Sequence, residues 1–388
     1  MRRRRIAFVY APASPPDEAR LETMPLAVKT ITRLAAADWE VDVFLWERRF
    51  ADYHQIFPST VRFGYQVVPK GIYRPANLRR HPFRLTARFM SCMNYECAFG
   101  LGQLGSYLGA VVSLASRCPL VLLNDEFPSH FGPNRWARLE RWAAKRANVI
   151  LVPSPDRIPR LAEELGLIDQ RKKFVEFHNA PKVSRPLEKR DWHALLGIPP
   201  GRQIFLHAGQ VGDWVQVPEI LCSVVHWPSN AVLLLHSLTQ DEGGAYRQQL
   251  AHLHVPGRVF WTSAPLSDKL LNSLVGHCNG SFALYRDTGP NISLIGTSSG
   301  KLMRSVMCGS PVIASNFDSL RFVSQEGIGV QVCHPSEIPA AIQELVRNER
   351  AYRDRCLSFA RQEVIREQQS WEALVSALSN KIDLRNHK

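Results

Sequence analysis

The 388-residue chain reads as an α/β protein built from two Rossmann-like domains in tandem. Three observations predict this. Short apolar runs alternate with amphipathic helical stretches, the order that builds parallel sheets covered on both faces. The alternation stops once, at Ala180 to Arg202, where prolines 181, 186, 199 and 200 stand among many charges, and then restarts. The length suits two domains of ordinary size, and an apolar fraction of 45% suits packed cores.

In the first half, Arg5 to Tyr10 opens as a strand, followed by a helix near Arg20 to Ala37 and the alternating strand Val41 to Leu45. Val61 to Val68 is a further strand, and the uncharged segment Phe99 to Ser116, with four glycines, reads as a buried helix. Pro119 to Leu123 is a short, fully apolar strand. A charged amphipathic helix, Asn134 to Ala147, leads into the strand Val149 to Val152; Ser154 caps a helix ending near Leu165, and Phe174 to Phe177 is the last strand. After a linker with one short helix, strands are expected at Ile204 to His207, Ala231 to His236, Arg258 to Trp261, Gly280 to Leu284, Val312 to Ala314 and Val330 to Val332. Helices are expected at Ile338 to Arg347, Tyr352 to Glu367 and Trp371 to Asn380. The domains are placed at 1–185 and 186–365, with 366–388 a helix packing back toward the first. Tandem domains of this kind take ligands at the carboxyl ends of their strands, in the cleft between them.

Composition narrows the class. The net charge of +13 is uneven: residues 1–190 hold 31 Lys and Arg against 18 Asp and Glu, and residues 191–388 hold 17 against 17. A basic first half suits an anionic partner such as a membrane surface or a pyrophosphate-linked acceptor. The basic clusters are Arg2 to Arg5 and Arg79-Arg80-His81 with Arg84 and Arg88, the latter interleaved with Tyr73, Phe83 and Phe89. The eight cysteines are scattered with no zinc spacing and read as buried thiols of a reducing compartment. No run reaches the roughly 20 apolar residues of a membrane span, and Ile6 to Tyr10 is too short for a signal sequence. A cytoplasmic protein is expected, with room for peripheral contact at the inner face of the membrane.

The most informative stretch is Asn291 to Ser315. Small residues at Gly296, Ser298, Ser299 and Gly300 precede Lys301 at the start of a helix, so backbone N–H groups, the helix N-terminus and a full positive charge all face one anion. The helix ends at Cys308-Gly309 and an apolar strand follows at once. This is a phosphate cradle. It is not a Walker loop, because Leu302 stands where the hydroxyl residue would be.

The run Gly300-Lys301-Leu302 … Cys308-Gly309-Ser310-Pro311-Val312-Ile313-Ala314-Ser315 resembles the donor-binding signature of retaining GT-B glycosyltransferases, especially the large family 4. Leu139 to Ser154, Phe177 to Pro181 and Leu206 to Gly209 resemble other segments of that family, so that the likeness spans roughly residues 119–332. The resemblance implies the GT-B fold and a nucleotide-sugar donor, UDP-, GDP- or another, on the C-terminal domain. It implies a glycan, lipid-linked or small-molecule acceptor on the N-terminal domain, and transfer with retention, with no metal and no cofactor required. Gly209, Gln210, Ser298, Ser299, Gly300, Lys301 and Arg304 would hold the donor phosphates, and Asp287 and Asn291 the sugar. Turn chemistry in Arg286 to Pro290 competes for Asp287.

The chain departs from the family at the E-x7-E pair. Gly296 and Arg304 occupy the acids' places, and Gln210 stands where an arginine is usual. Arginine cannot accept a ribose hydrogen bond, but its fork suits oxyanions, which makes Arg304 a candidate diphosphate or sugar-carboxylate ligand; the competing role is an exposed helix arginine. Trp214 is either a stacking surface for a base or a packed core residue. Asp125 and Glu126, directly after the Pro119 to Leu123 strand, and His130 are the candidate catalytic groups, as general base or acceptor-orienting residues. Gly100-Leu101-Gly102-Gln103-Leu104-Gly105 fits GxGxxG, with Asp125 twenty residues on, but without a preceding strand it reads as a closely packed helix. Two other activities stay open: a nucleotide-sugar hydrolase or epimerase of the same shape, and an inactive binding subunit. Nucleic acid is not the expected partner.

Overall fold

The computed structural model describes residues 4–11, 21, 24–45, 57–65, 94–131, 135–237 and 247–382. The expected strand residues 66–68 and the basic clusters at 2–3 and 79–88 lie outside them. The chain forms two compact units, Met1–His178 with Glu367–Lys388, and Asn179–Arg366.

The first unit holds seven strands: β1 Arg4–Tyr10, β2 Trp39–Leu45, β3 Val61–Tyr65, β4 Cys97–Leu101, β5 Leu120–Leu123, β6 Val149–Val152 and β7 Phe174–Glu176. They lie in the order β3-β2-β1-β4-β5-β6-β7, all parallel. The order reverses between β1 and β4, which places a ligand crevice at the carboxyl ends of those two strands. Helices α1 Pro25–Ala36, α2 Gln103–Ser116, α3 Arg135–Arg146 and α4 Ile158–Leu165 accompany the sheet. Alternate residues of β1, β2 and β4, namely Ile6, Phe8, Tyr10, Val41, Val43, Leu45, Cys97, Phe99 and Leu101, form one core with Leu26 and Ile31 of α1.

Strand β4 corrects the sequence reading. Phe99 to Ser116 is not one helix; Cys97–Leu101 is a central strand, Gly102 turns the chain, and α2 follows. The GxGxxG run is therefore a strand–turn–helix. Strand character was hidden because glycine at position 100 weakens the apolar pattern. The glycine is needed: a Cβ on Gly100 would lie 2.7 Å from the Gly105 carbonyl oxygen, and one on Gly105 would lie 2.8 Å from that of Val9. The glycines let α2 press onto the sheet.

The second unit opens with helix α5 Trp192–Leu196 and holds β8 Gln203–Ala208, β9 Ala231–His236, β10 Val259–Thr262, β11 Gly280–Ala283, β12 Val312–Ser315 and β13 Gly329–Val332. Their order is β10-β9-β8-β11-β12-β13, again parallel, with the reversal between β8 and β11. Helices α6 Val217–Ser223, α7 Asp268–His277, α8 Gly300–Cys308 and α9 Ile338–Arg347 complete its layers. Both faces are buried. Phe205, Leu233 and Leu235 join one core; Ile204, Leu206, Val232 and Leu234 join the other. That explains why these strands read as continuous apolar runs.

The two helices expected at the end are one, α10 Glu349–Ile382. The polar run Gln368-Gln369-Ser370 contains no helix breaker and simply continues the helix. Cys356, Phe359 and Ala360 enter the second unit's core. Leu374 and Leu378 enter the first unit's, where Glu367 also receives Lys29 and Arg33 of α1. Ser154 does not cap a helix through its hydroxyl, which bonds the Asp156 carboxylate instead. Of the described cysteines, Cys222 and Cys333 are exposed rather than buried.

Candidate functional site

Helix α8 forms where its sequence dictates. Ser299 caps it, accepting from the Leu302 N–H at 3.2 Å, and Gly309 closes it in the left-handed region, its N–H returning to the turn at Ser305 and Val306. Leu302, Met303, Val306 and Met307 face the core. That orientation carries Lys301 toward the end of β11, where Tyr285 is fixed by Ser315, which accepts from its N–H at 2.7 Å and donates to its carbonyl at 3.0 Å. The Tyr285 hydroxyl bonds the Ser299 hydroxyl, and Trp214 stacks on the Tyr285 ring at 6.0 Å.

Lys301 Nζ lies 5.1 Å from the Tyr285 ring centre and 5.7 Å from that of Trp214. The nitrogen is shielded from solvent and has no hydrogen-bond acceptor among the described residues. Burial pulls its pKa down to about 7. His207, at the end of β8, lies in the same field. Burial, and then the Lys301 charge, lower it to about 3 against the pull of the Gln210 carbonyl, so its ring is neutral. Nε2 donates to that carbonyl at 2.9 Å, and Nδ1 is buried without a partner. At the end of β9, next to β8, both ring nitrogens of His236 and the hydroxyl of the following Ser237 are likewise buried, with no partner among the described residues.

Unpartnered buried polar groups are costly, and an unpartnered buried cation the more so. Lys301, Ser298, His207, His236 and Ser237 all come from segments at or beyond the carboxyl ends of β8, β9 and β11. The arrangement suits an anionic, hydrogen-bonding ligand, with Lys301 meeting the charge and the aromatic pair walling its side of the site.

The other expected residues are distributed as follows. Ser298 Oγ is buried without a partner, while the Ser298 carbonyl accepts from Asn179 Nδ2 at 3.1 Å. Gly300 is the first residue of α8. Gly209 holds a φ of 114°, and nothing lies within 4 Å of where its Cβ would be. Its N–H bonds the His236 carbonyl, and the Gln210 side chain next to it is exposed. Asp287 is exposed and accepts from the Gly289 N–H at 2.9 Å, so its present work is in the turn. Asn291 sits half-buried in the short turn Pro290–Ser293.

Of the two roles expected for Arg304, the structure removes that of an exposed helix arginine. Arg304 is neither an exposed surface residue nor unpaired. Its guanidinium donates to Asn272 Oδ1 at 2.6 Å and to Asp268 Oδ1 at 3.0 Å, both on α7. The sequence hid these partners because Asp268 and Asn272 lie more than thirty residues upstream.

In the first unit, Asp125 and Glu126 follow β5 as expected, and His130 lies exposed in the turn Pro128–Phe131. The sequence reading missed what surrounds them. Arg157, almost completely buried, donates to the Asp125 carbonyl at 2.9 Å and lies 4.3 Å over the Phe127 ring. Glu126, Asp125 and Glu164 supply its counter-charge. Burial pushes the Asp125 carboxyl above its usual range, with the Arg157 charge opposing. Behind this loop, Asn124 Nδ2 donates to the buried Glu140 at 3.1 Å. Burial, against bonds from Gln103 and Asn124, pushes the Glu140 carboxyl up to about 8. Asp125 and Glu126 thus stand on a braced loop.

No known family model matches the chain, and no curated protein does either. Solved structures do. HepE of Anabaena, determined with UDP and glucose, is 16% identical over 96% of this chain and 100% of its own, with a TM-score of 0.70. Sucrose-phosphate synthase of Thermosynechococcus elongatus is 18% identical over 99% of both chains, at 0.64. The galactosyltransferase WaaB of the lipopolysaccharide outer core is 12% identical over 96% of this chain and 100% of its own, at 0.60. The fold is the GT-B architecture of two Rossmann-like domains.

Proposed function

We propose that this chain is a glycosyltransferase that moves a sugar from a nucleotide-sugar donor to an acceptor. The observation that supports it most is the buried, unpartnered ammonium of Lys301 beside Tyr285 and Trp214. A leaving nucleoside diphosphate gains negative charge as the glycosidic bond breaks, and a cation held ready in a shielded pocket stabilises that charge without rearranging. The N-terminus of α8 faces the same anion. UDP is the nucleotide to try first, because HepE was determined with UDP and with UDP-glucose.

The finer reading follows the family resemblance: residues 1–185 as the acceptor side, 186–365 as the donor side, transfer with retention and no required metal. Asp125 or Glu126 would orient or deprotonate the acceptor hydroxyl, with His130 as the third candidate. Gly209, Gln210, Ser298 to Lys301, Asp287 and Asn291 would line the donor. The acceptor is expected to be an anionic or lipid-linked glycan of the cytoplasmic face. Arg304 stays a candidate phosphate ligand through the N–H donors that Asp268 and Asn272 do not take.

Titration calorimetry with UDP, GDP and their sugars tests the reading. At least one should bind, and Lys301→Ala should weaken it by roughly 1.5–3 kcal/mol, the scale of a charge-assisted hydrogen bond, or about ten- to a hundredfold. If no nucleotide diphosphate or nucleotide sugar binds, the reading is wrong. A hydrolase or epimerase would bind the same donors, and product analysis with and without acceptor separates them.

A further inference from the structure

We propose that the outer face of α3, with the turn Ile168–Lys173 beside it, is a docking surface for an anionic lipid bilayer. In α3 the residues Arg138, Arg141, Trp142, Lys145 and Arg146 recur at i, i+3, i+4, i+7 and i+8, which lines them along one face. The four cations are exposed, and the helix's one acid, Glu140, is buried on the opposite side. The outward face of the helix is therefore cationic without an opposing carboxylate of its own.

Neighbouring segments extend it. Lys173 Nζ donates to the Lys145 carbonyl at 2.9 Å, which lays the turn against α3 and adds the exposed Arg171 and Lys172. A groove of about 340 Å³ between α3 and α4 is lined by Arg141, Lys145 and Arg160 together with Glu163 and Glu164. Those two acids are already engaged: Glu164 accepts from the Ser129 N–H and hydroxyl and from Arg160, and Glu163 pairs with Arg160. Asp169 is the acid left within the turn.

The choice of a bilayer rests on what accompanies the charge. Arg146 lies 4.0 Å over the Trp142 ring, whose other neighbour is Tyr107 of α2, so the indole is covered rather than offered to a nucleobase. Two turns beyond Tyr107 on the same face of α2, Leu114 is 55% exposed, and Ile168 at the start of the cationic turn is 57% exposed. Exposed aliphatic side chains beside lysine and arginine suit the boundary between headgroups and acyl chains. Since the inner face of α3 is committed to the protein core and no described helix is long and apolar enough to cross a membrane, the contact is peripheral and electrostatic. The surface lies outside the Lys301 site, so this inference does not depend on the proposed reaction, although a lipid-linked acceptor would give it a purpose.

Sedimentation of the full chain with phosphatidylcholine vesicles, with and without added phosphatidylglycerol, tests it. Binding should require the anionic lipid and fall with added salt as the charges are screened. Replacing Arg138, Arg141, Lys145 and Arg146 by glutamine should weaken it on the order of a thousandfold, since each basic residue near an anionic surface contributes comparably, while UDP binding stays as in the parent. Arg138→Lys with Arg141→Lys and Arg146→Lys should restore it. If the quadruple variant misfolds, Arg138→Gln and Lys145→Gln alone should each give a graded loss. No preference for anionic vesicles overturns the proposal, as does undiminished binding by a folded quadruple variant. So does preferential binding of duplex RNA by this face in place of vesicles.

Discussion

Each unit buries a cation near the carboxyl edge of its sheet, and the two cations are treated oppositely. In the first unit Arg157 donates to the Asp125 carbonyl, covers the Phe127 ring and sits in the field of Glu126, Asp125 and Glu164. In the second unit Lys301 has two aromatic rings, a neutral histidine and no acceptor among the described residues. Arg157 has partners within the protein itself and braces a loop. On the proposed reading, Lys301 is left for the donor's phosphates. What distinguishes the two cations is therefore the absence of a partner, not burial, and the proposed donor site rests on that difference.

The largest expected effect tests that contrast through stability. Arg157→Met leaves the Asp125 carbonyl without its donor and removes the charge facing Glu126, Asp125 and Glu164, and should destabilise the fold by about 1–3 kcal/mol, the usual cost of a buried group left unsatisfied. Lys301→Met removes a charge that nothing balances, so the fold should be unchanged or more stable. The sign with pH follows. Lys301 titrates near 7 in the fold and at about 10.4 when unfolded. Between those values the unfolded chain holds a proton that the folded one lacks, so this residue makes stability rise with pH through that window. The advantage of Lys301→Met should be greatest below pH 7 and gone above about 10.4. Urea melts of both variants at pH 6 and pH 9 read it directly; equal destabilisation by the two substitutions would erase the distinction drawn between the two sites.

A smaller effect sharpens the comparison at the ligand. A diphosphate beside Lys301 favours the ammonium, so its pKa must rise on binding. At pH values above about 7 the free protein must take up a proton to bind. UDP affinity should then fall by up to about tenfold per pH unit. Calorimetry in two buffers of different ionisation enthalpy should show proton uptake in the parent and none in Lys301→Met. A flat pH profile with normal UDP binding would mean that the ligand's charge lies elsewhere, without refuting donor binding.

Much of the fold was legible because both faces of each sheet are covered, which turns strands such as Ala231–His236 into unbroken apolar runs. Strand β4 was not legible, since Gly100 serves close packing against Gly105 and dilutes the strand signal. Lys301 and Ser299 were legible from local helix-start chemistry. Their surroundings were not. Tyr285 and His207 reach Lys301 from separate strands and loops, and no spacing rule links them to residue 301. The partners of Arg304, Asp268 and Asn272, were hidden for the same reason, being distant in sequence. Local chemistry can be read along the chain; charge compensation is a property of packing.

The smallest effect separates the cradle's framework from its charge. Ser299 Oγ accepts from the Leu302 N–H and bonds the Tyr285 hydroxyl, so it fixes both the start of α8 and the ring beside Lys301. Ser299→Ala should cost about 1 kcal/mol of stability, as for other lost helix caps, and leave the Tyr285 hydroxyl buried without its bond. UDP affinity should fall only a few-fold, because the ammonium remains, and the pH dependence of binding should keep its position near 7. Ser299→Thr, which can cap, should recover most of the stability. If Ser299→Ala instead matched Lys301→Ala in loss of affinity while melting like the parent, the hydroxyl itself would be a ligand contact, and the cradle would bind through its neutral donors as much as through its charge.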